Sequence, residues 1–154
     1  MNKIITLVLS SVLLVGTVAC SNDKTSSSAP DSTEKTGEVP TTATADKAQN
    51  DAGSQVRKDQ LNSDIRAREQ RNNASGGDTT RASSDLSSEV RSKLEANIPN
   101  GNLTVSAKDG AVAVSGTVQS QDQLAKIEPL AKQIKGVMSV KVAAKVAPAV
   151  PEKK

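Results

Sequence analysis

Residues 103–118 read LTVSAKDGAVAVSGTV, and this stretch decides the fold. Apolar Leu103 and Val105 alternate with polar side chains before the pair Asp109-Gly110, and a second alternating run follows that pair. Apolar residues at every second position line one face of a strand, and Asp-Gly favours the tight turn that joins antiparallel strands. The sequence therefore predicts a β-hairpin with one apolar face and one face of small polar side chains.

Amphipathic helices are predicted on both sides of this hairpin. Before it, apolar residues recur at every fourth position until Gly101, which is the spacing of one helix face. After it, Ser120 and Gln123 form a capping box for a helix that carries Pro129 opposite its apolar face and ends at Gly136. The apolar positions are Leu86, Val90, Leu94 and Ile98 in the first helix, and Leu124, Ile127, Leu130, Ala131 and Ile134 in the second.

A last strand, from Ser139 to Val146, completes the predicted domain. Its apolar residues alternate with polar or small ones, and Pro148 ends it. The order α-β-β-α-β over residues 83–147 predicts an α+β domain in which two helices cover one face of a three-stranded mixed sheet. The helix between the last two strands makes them parallel, and the sequence leaves the strand order open.

The amino terminus has the features of an export signal. A basic residue and an apolar run from Ile4 to Val15 precede small residues and then Cys20, the only cysteine in the chain. This boundary resembles the lipobox of bacterial lipoproteins. Ala19 fits that pattern, whereas Thr17 stands where the family normally has Leu. The resemblance implies a lipoprotein signal peptide at residues 1–19 and acylation of Cys20 with diacylglycerol and a fatty acyl chain such as palmitate.

An ordinary secretory peptide, cleaved before a free Cys20 thiol, is the alternative interpretation of this amino terminus.

The remaining segments are predicted from their composition. Residues 20–44 are rich in Ser, Thr and Pro and predict a disordered tether. Residues 45–72, with thin and irregular apolar spacing, predict a possible exposed helix, and residues 73–82 a linker. Residues 148–154 predict a disordered tail.

The predicted domain resembles a known family. The run Asp109–Val118, a helix with Leu130-Ala131, then Lys135-Gly136-Val137 and Val140-Lys141-Val142 are similar to the BON domain of bacterial envelope proteins. The similarity covers about residues 83–147. It implies attachment to phospholipid interfaces in the periplasm, often under osmotic or envelope stress, and no enzymatic activity. Most better-known members carry two BON domains, and one is found here.

Composition excludes many other functions. The chain of 154 residues has no Phe, Trp, Tyr or His and a single Cys. It therefore lacks the common zinc ligand sets, the Ser-His-Asp arrangement, disulfide partners and the aromatic platforms that stack on single-stranded nucleic acids. The formal net charge of +3 is too small to indicate DNA binding by itself. We expect no cofactor, no metal, no nucleic-acid partner and no catalysis.

Lysines are the candidate binding residues. The sheet face away from the helices is expected to be small, polar and lysine-bearing, and the second helix carries further lysines. The candidates for contact with a membrane are Lys126, Lys132, Lys135, Lys141 and Lys145. The rest of the sheet face is Thr104, Ser106, Ala113, Ser115, Thr117, Ser139 and Ala143. A solvated face with edge lysines that resist aggregation, together with ordinary surface charge on the helix, is the alternative interpretation.

Two functions stay open at this point. The first is a lipid-anchored envelope protein that holds the membrane through acylated Cys20 and whose domain binds anionic phospholipid head groups. The second is a spacer or protein-interaction lipoprotein that presents the domain to an envelope protein assembly or to peptidoglycan. In both, we expect the bacterial cell envelope, facing the periplasm, with the outer membrane favoured in a two-membrane cell.

Overall fold

A computed structural model of the protein describes residues 22–76 and 81–151. The fold is α+β, with one mixed sheet of five strands and four helices in the described part of the chain. The strands are β1 (Asn22–Lys24), β2 (Asn102–Lys108), β3 (Ala111–Val118), β4 (Ser139–Val142) and β5 (Lys145–Val146). The helices are α1 (Thr42–Gly53), α2 (Gln55–Ala74), α3 (Ser83–Asn97) and α4 (Gln121–Lys132). The predicted signal peptide at residues 1–19 and Cys20 lie outside the described residues.

The β2–β3 hairpin confirms the prediction from residues 103–118. The two strands are antiparallel, with Val105 opposite Val114 and Lys108 opposite Ala111. The turn residues Asp109 and Gly110 both have positive φ, 49° and 80°. Two consecutive positive φ angles give the turn whose twist matches paired strands, which is why Asp-Gly occurs at this point.

Strand order follows from the parallel pairing of β3 with β4 and β5. The order is β1-β2-β3-β4, and β5 extends the β4 side at the far end of β3. Helix α4 connects β3 to β4, so the predicted crossover and parallel direction are confirmed, and the structure adds that the two strands are direct neighbours. The predicted last strand is divided into two pieces, with Ala143 and Ala144 between them.

Helices α3 and α4 bury their apolar faces against one side of the sheet, as predicted. α3 packs mainly on β1 and β2, and α4 on β3, β4 and β5. Burying one such aliphatic side chain stabilises the fold by about 1.5–3 kcal/mol. The buried core residues are Leu86, Val90, Leu94, Ile98, Leu103, Val105, Ala107, Val112, Val114, Val118, Ile127, Ala131 and Ile134.

The disordered tether predicted for residues 20–44 is corrected by the structure from Asn22 onward. Asn22–Lys24 forms β1, which pairs antiparallel with β2 and makes the sheet larger than the predicted three strands. The Thr25 backbone N–H donates to the Leu103 carbonyl at 2.8 Å, and the Leu103 N–H donates to Thr25 Oγ1 at 2.9 Å. The segment is ordered because the unpaired edge of β2 supplies backbone partners, which a composition argument does not consider.

The exposed helix predicted for residues 45–72 is also corrected. Two helices, α1 and α2, occupy this stretch, and α2 packs along α3. Leu61 is fully buried, and Ile65 packs against the core. Charge pairs support the contact, with Arg57 Nη2 at 2.7 Å from Glu95 and Arg68 Nη1 at 2.6 Å from Asp85. A thin apolar stripe is enough for packing when ion pairs flank it.

The predicted linker and tail are shorter than expected. α2 continues to Ala74, so the predicted linker at residues 73–82 is partly helical, and residues 77–80 lie outside the described part. In the predicted tail at residues 148–154, Val150 forms a β-bridge with Thr41. The Thr42 N–H donates to the Val150 carbonyl at 2.9 Å, and the Val150 N–H donates to Pro40 at 3.1 Å. These backbone bonds order the chain as far as residue 151.

Candidate functional site

The outer face of the sheet, opposite α3 and α4, carries the side chains that the sequence assigned to it. Thr104 lies opposite Ser115, and Lys141 is paired with Ala113. The side chains of this face are not equally accessible, because Thr104, Ser115 and Thr117 are at most 2% exposed. The predicted face is therefore largely covered near the end of the sheet that carries Thr117.

The cover is residues 25–33, which we term the cover segment. Thr104 Oγ1 donates a hydrogen bond to the Pro30 carbonyl, and Ser115 Oγ donates to the Ser32 carbonyl at 3.3 Å. Ala29, within the segment, is itself buried. These bonds use side-chain hydroxyls and backbone carbonyls, so a segment almost free of large apolar residues is held on a polar sheet face.

A groove remains open at the other end of the outer face, beside the β2–β3 turn. We term it the turn-end groove, and its volume is about 400 Å³. Its floor consists of small side chains, so backbone and methyl groups give it a mainly apolar lining. The outward-facing residues that line it are Ser106, Lys108, Ala111, Ala113, Ser139 and Lys141.

Exposed cationic and apolar side chains surround the turn-end groove. Lys108 and Lys141 are both exposed, and Met138 is 79% exposed beside the turn. The Met138 N–H donates to the Gly110 carbonyl at 2.8 Å. A Cβ on Gly110 would lie 2.7 Å from Met138 Sδ, so a glycine is required for this close approach as well as for its φ of 80°.

The five predicted lysines are exposed, but the structure does not bring them together. Lys141 lies at the turn-end groove, whereas Lys145 pairs with Thr117 about 13 Å farther along the sheet. Lys126 and Lys132 belong to α4, in the layer that covers the opposite face of the sheet, and Lys132 Nζ is 2.6 Å from Glu128. Lys135 follows α4 near its end. The outer-face lysines and the α4 lysines therefore lie on opposite sides of the sheet.

Behind the β2–β3 turn, Arg81 and Glu89 form a buried ion pair. Their side chains are at most 2% exposed, and Arg81 Nη1 donates to Glu89 Oε2 at 3.0 Å and to the Lys135 carbonyl at 2.7 Å. Burial raises the pKa of the Glu89 carboxyl, against the opposing effect of Arg81. Because both side chains are buried, the pair is not accessible to a substrate. It links the start of α3 to the segment after α4 and fixes where that segment approaches the turn.

A second concavity, of about 280 Å³, lies between the cover segment and α1. Hydroxyl side chains dominate its lining, and Glu95 contributes a carboxylate. That carboxylate is already paired with Arg57 and with Arg91 Nη1, at 2.7 Å in each case. The α1 side chains Lys47 and Asp51 also line the concavity, so it contains opposite charges and offers no site for one kind of ion.

The described parts of the chain also give information on metal ligands and membrane-spanning helices. Across residues 22–76 and 81–151, no group of three or more acidic, His or Cys side chains is placed to hold a metal ion. Over the same ranges, none of the helices combines the length and the hydropathy needed to cross a bilayer.

Sequence reasoning missed Lys108 and Met138 as members of the candidate site. Lys108 directly precedes the turn pair Asp109-Gly110, and Met138 lies in the short segment before the last strand, so neither position indicates a binding residue by its local pattern. Lys108 lines the same groove as Lys141, and Met138 lies against Gly110, because β3 pairs with β4. The sequence left that pairing open. The register of Ala113 with Lys141 is the information that brings these three side chains to one end of the sheet.

Comparison with known proteins agrees with this architecture. Residues 82–148 match the family described as the BON domain, so the chain contains a BON domain over that range. The chain is 45% identical over 56 residues to osmotically-inducible protein Y of Escherichia coli (strain K12). That similarity covers 35% of this chain and 28% of the length of the relative. No solved structure matches the chain.

Proposed function

We propose that this chain, with its BON domain at residues 82–148, is a lipid-anchored protein of the bacterial envelope that binds anionic phospholipid surfaces without catalysing a reaction. The observation that carries the proposal is the turn-end groove, where exposed Lys108 and Lys141 flank small apolar residues. Lysines beside shallow apolar surface suit phosphate head groups and the acyl boundary beneath them.

The anchor is supported by Cys20, which follows an apolar run and Ala19. An acylated cysteine at this point would hold the chain in the periplasm-facing leaflet of a membrane, and each buried CH₂ contributes about 0.8 kcal/mol. Each lysine near an anionic surface adds about 1 kcal/mol. The anchor thus supplies most of the membrane affinity, and the lysines determine which part of the domain contacts the head groups.

A role in osmotic or envelope stress is the physiological part of the proposal. It is supported by the 45% identity, over 56 residues, to a protein named as osmotically inducible. The match covers 28% of that relative, so the activity of the whole relative is not carried over to this chain.

Vesicle sedimentation tests the phospholipid part. The chain from residue 20 to residue 154, with Cys20→Ser to prevent coupling, is mixed with vesicles of phosphatidylglycerol and phosphatidylcholine, and with phosphatidylcholine alone as control. We expect sedimentation with the anionic vesicles at low salt, a decrease as salt rises, and little with the neutral ones. Equal recovery in the supernatant for both vesicle types would reject the proposal and favour a protein-interaction or spacer lipoprotein.

A further inference from the structure

We propose that the domain contacts the membrane through the turn end, defined as Lys108–Gly110, Met138 and Lys141. We further propose that the position of β1 in the sheet determines this orientation. The inference rests on the proposed function, because it assumes an acylated Cys20 and an anionic bilayer. It goes beyond that function by assigning one face of the molecule to the membrane and by excluding the others.

The direction of β1 carries the argument. β1 is antiparallel to β2, with Asn22 opposite Ser106 and Lys24 opposite Thr104. Ser106 lies near the end of β2 that leads into the turn, so the chain enters the sheet at the turn end. Cys20 precedes Asn22 by two residues, and two residues span at most about 7 Å. A lipid on Cys20 must therefore enter the bilayer beside the turn-end groove.

Hydrogen bonds fix β1 in this place. Ser87 and Ser88 of α3 donate their hydroxyls to the Asp23 carboxylate, the latter at 3.1 Å. Thr25 Oγ1 donates to the Gly101 carbonyl at 2.7 Å. If the residues between Cys20 and the domain formed a flexible linker, some 60 residues would let the domain move over about 40–50 Å from its anchor. With β1 paired, only Ser21 separates Cys20 from the first strand of the sheet, so the domain is held close to its anchor.

The turn end has the chemistry of a membrane contact. Lys108 and Lys141 are exposed on the outer face, and Met138 presents a 79% exposed apolar side chain next to them. Asp109 is the one carboxylate within the turn end as defined. Two lysines against one aspartate leave a positive balance, which complements anionic head groups. Lys145 and Lys126 lie away from this end and are not expected to contact the bilayer.

A tryptophan reporter tests the orientation, because the chain contains no aromatic residue that would add background fluorescence. Met138→Trp places the reporter at the turn end. Val56→Trp is the matched control, since Val56 is 81% exposed on α2. The chain from residue 20 is coupled through Cys20, its only thiol, to a thiol-reactive lipid in phosphatidylglycerol-containing vesicles. Far-UV circular dichroism of both variants, compared with the unsubstituted chain, verifies folding.

We expect a blue shift and several-fold weaker quenching by an aqueous quencher for Met138→Trp on coupling, and no change for Val56→Trp. Equal changes at both positions, or none at Met138→Trp, would overturn the proposed orientation. Sedimentation of the uncoupled Cys20→Ser chain, described above, decides the phospholipid hypothesis separately, so the two failures can be told apart.

Neutralisation of lysines gives a second, independent test. Lys108→Gln with Lys141→Gln is compared with Lys126→Gln with Lys145→Gln, which removes the same charge from exposed positions elsewhere. On uncoupled anionic vesicles, the turn-end pair is expected to weaken binding about 30-fold and the control pair far less. If the control pair weakens binding as much, contact through the turn end is wrong while phospholipid binding stands.

Discussion

Gly116 of β3 lies directly against the carbonyl oxygen of Asn102, so close that a Cβ on Gly116 would sit 2.0 Å from that oxygen. The φ angle of Gly116 is 119°, in the region of backbone conformation that residues with a side chain rarely adopt. The glycine therefore allows β2 and β3 to approach at the end of the hairpin opposite the turn.

Gly116→Ala is predicted to lower the free energy of unfolding by about 3 kcal/mol or more, because it combines backbone strain with a collision against main-chain atoms. Urea unfolding followed by far-UV circular dichroism measures the loss. Gly53→Ala is the control, since a Cβ there meets no atom within 4 Å. A stability close to that of the unsubstituted chain would contradict the close approach.

The ion pair of Arg81 with Glu89 gives a prediction about coupling. Glu89→Leu leaves the guanidinium buried without its carboxylate, and Arg81→Met leaves the carboxylate without its cation. Each single change is expected to lower the free energy of unfolding by about 3–5 kcal/mol. The double variant should lose less than the sum, because neither charge is then left buried alone. Strict additivity in a double-mutant cycle would argue against the pair.

The pH dependence of stability follows from the raised pKa of Glu89. Burial lifts that pKa above its ordinary 4.5, so the folded chain holds the proton more tightly than the unfolded chain. The stability from this group is fully present below about pH 4.5 and is lost as the pH rises through the folded-state pKa. Glu89→Gln should flatten this part of the unfolding free energy curve. Identical pH profiles for the two proteins would refute the assignment.

Leu61 tests whether α2 belongs to the folded unit. Leu61→Ala removes a fully buried side chain and is expected to cost about 2–5 kcal/mol of unfolding free energy. Val56→Ala, on the same helix but 81% exposed, should change it by less than about 0.5 kcal/mol. Thermal or urea unfolding compares the two. If Leu61→Ala behaves like the control, residues 45–72 are as exposed as their composition suggests.

Cys20→Ala tests the anchor in cells. The substituted protein is expected to be soluble in the periplasm or unprocessed, because no other residue can form the thioether. Fractionation and immunoblotting of the two proteins provide the measurement. Processing and membrane retention equal to those of the unsubstituted protein would rule out lipidation at this position.

Local patterns predicted the hairpin, α3 and α4, because each of these elements repeats its apolar residues at the spacing of its own backbone. Asp109-Gly110 determined the turn in the same local way. β1 could not be predicted, since its three residues contain no apolar side chain and are ordered by the edge of β2. α2 was underestimated because one buried residue, Leu61, anchors an otherwise charged helix.

The candidate site was only partly predictable for the same reason. Lys141 could be placed on the outer face from alternation alone. Its proximity to Lys108 required the parallel pairing of β3 with β4, which is a relationship between distant segments. The covering of Thr104 and Ser115 by residues 25–33 depends on hydroxyl-to-carbonyl bonds that leave no mark in hydropathy.

The sheet ends, on the β4 side, in an edge interrupted between Val142 and Lys145. Short edge pieces that carry lysines are poor templates for another strand, because the ladder is broken and like charges would face each other. Proteins tethered to a membrane share a two-dimensional space in which neighbours meet often. Under the proposed anchoring, an interrupted edge would allow many copies to crowd into one patch of bilayer while each remains a separate molecule.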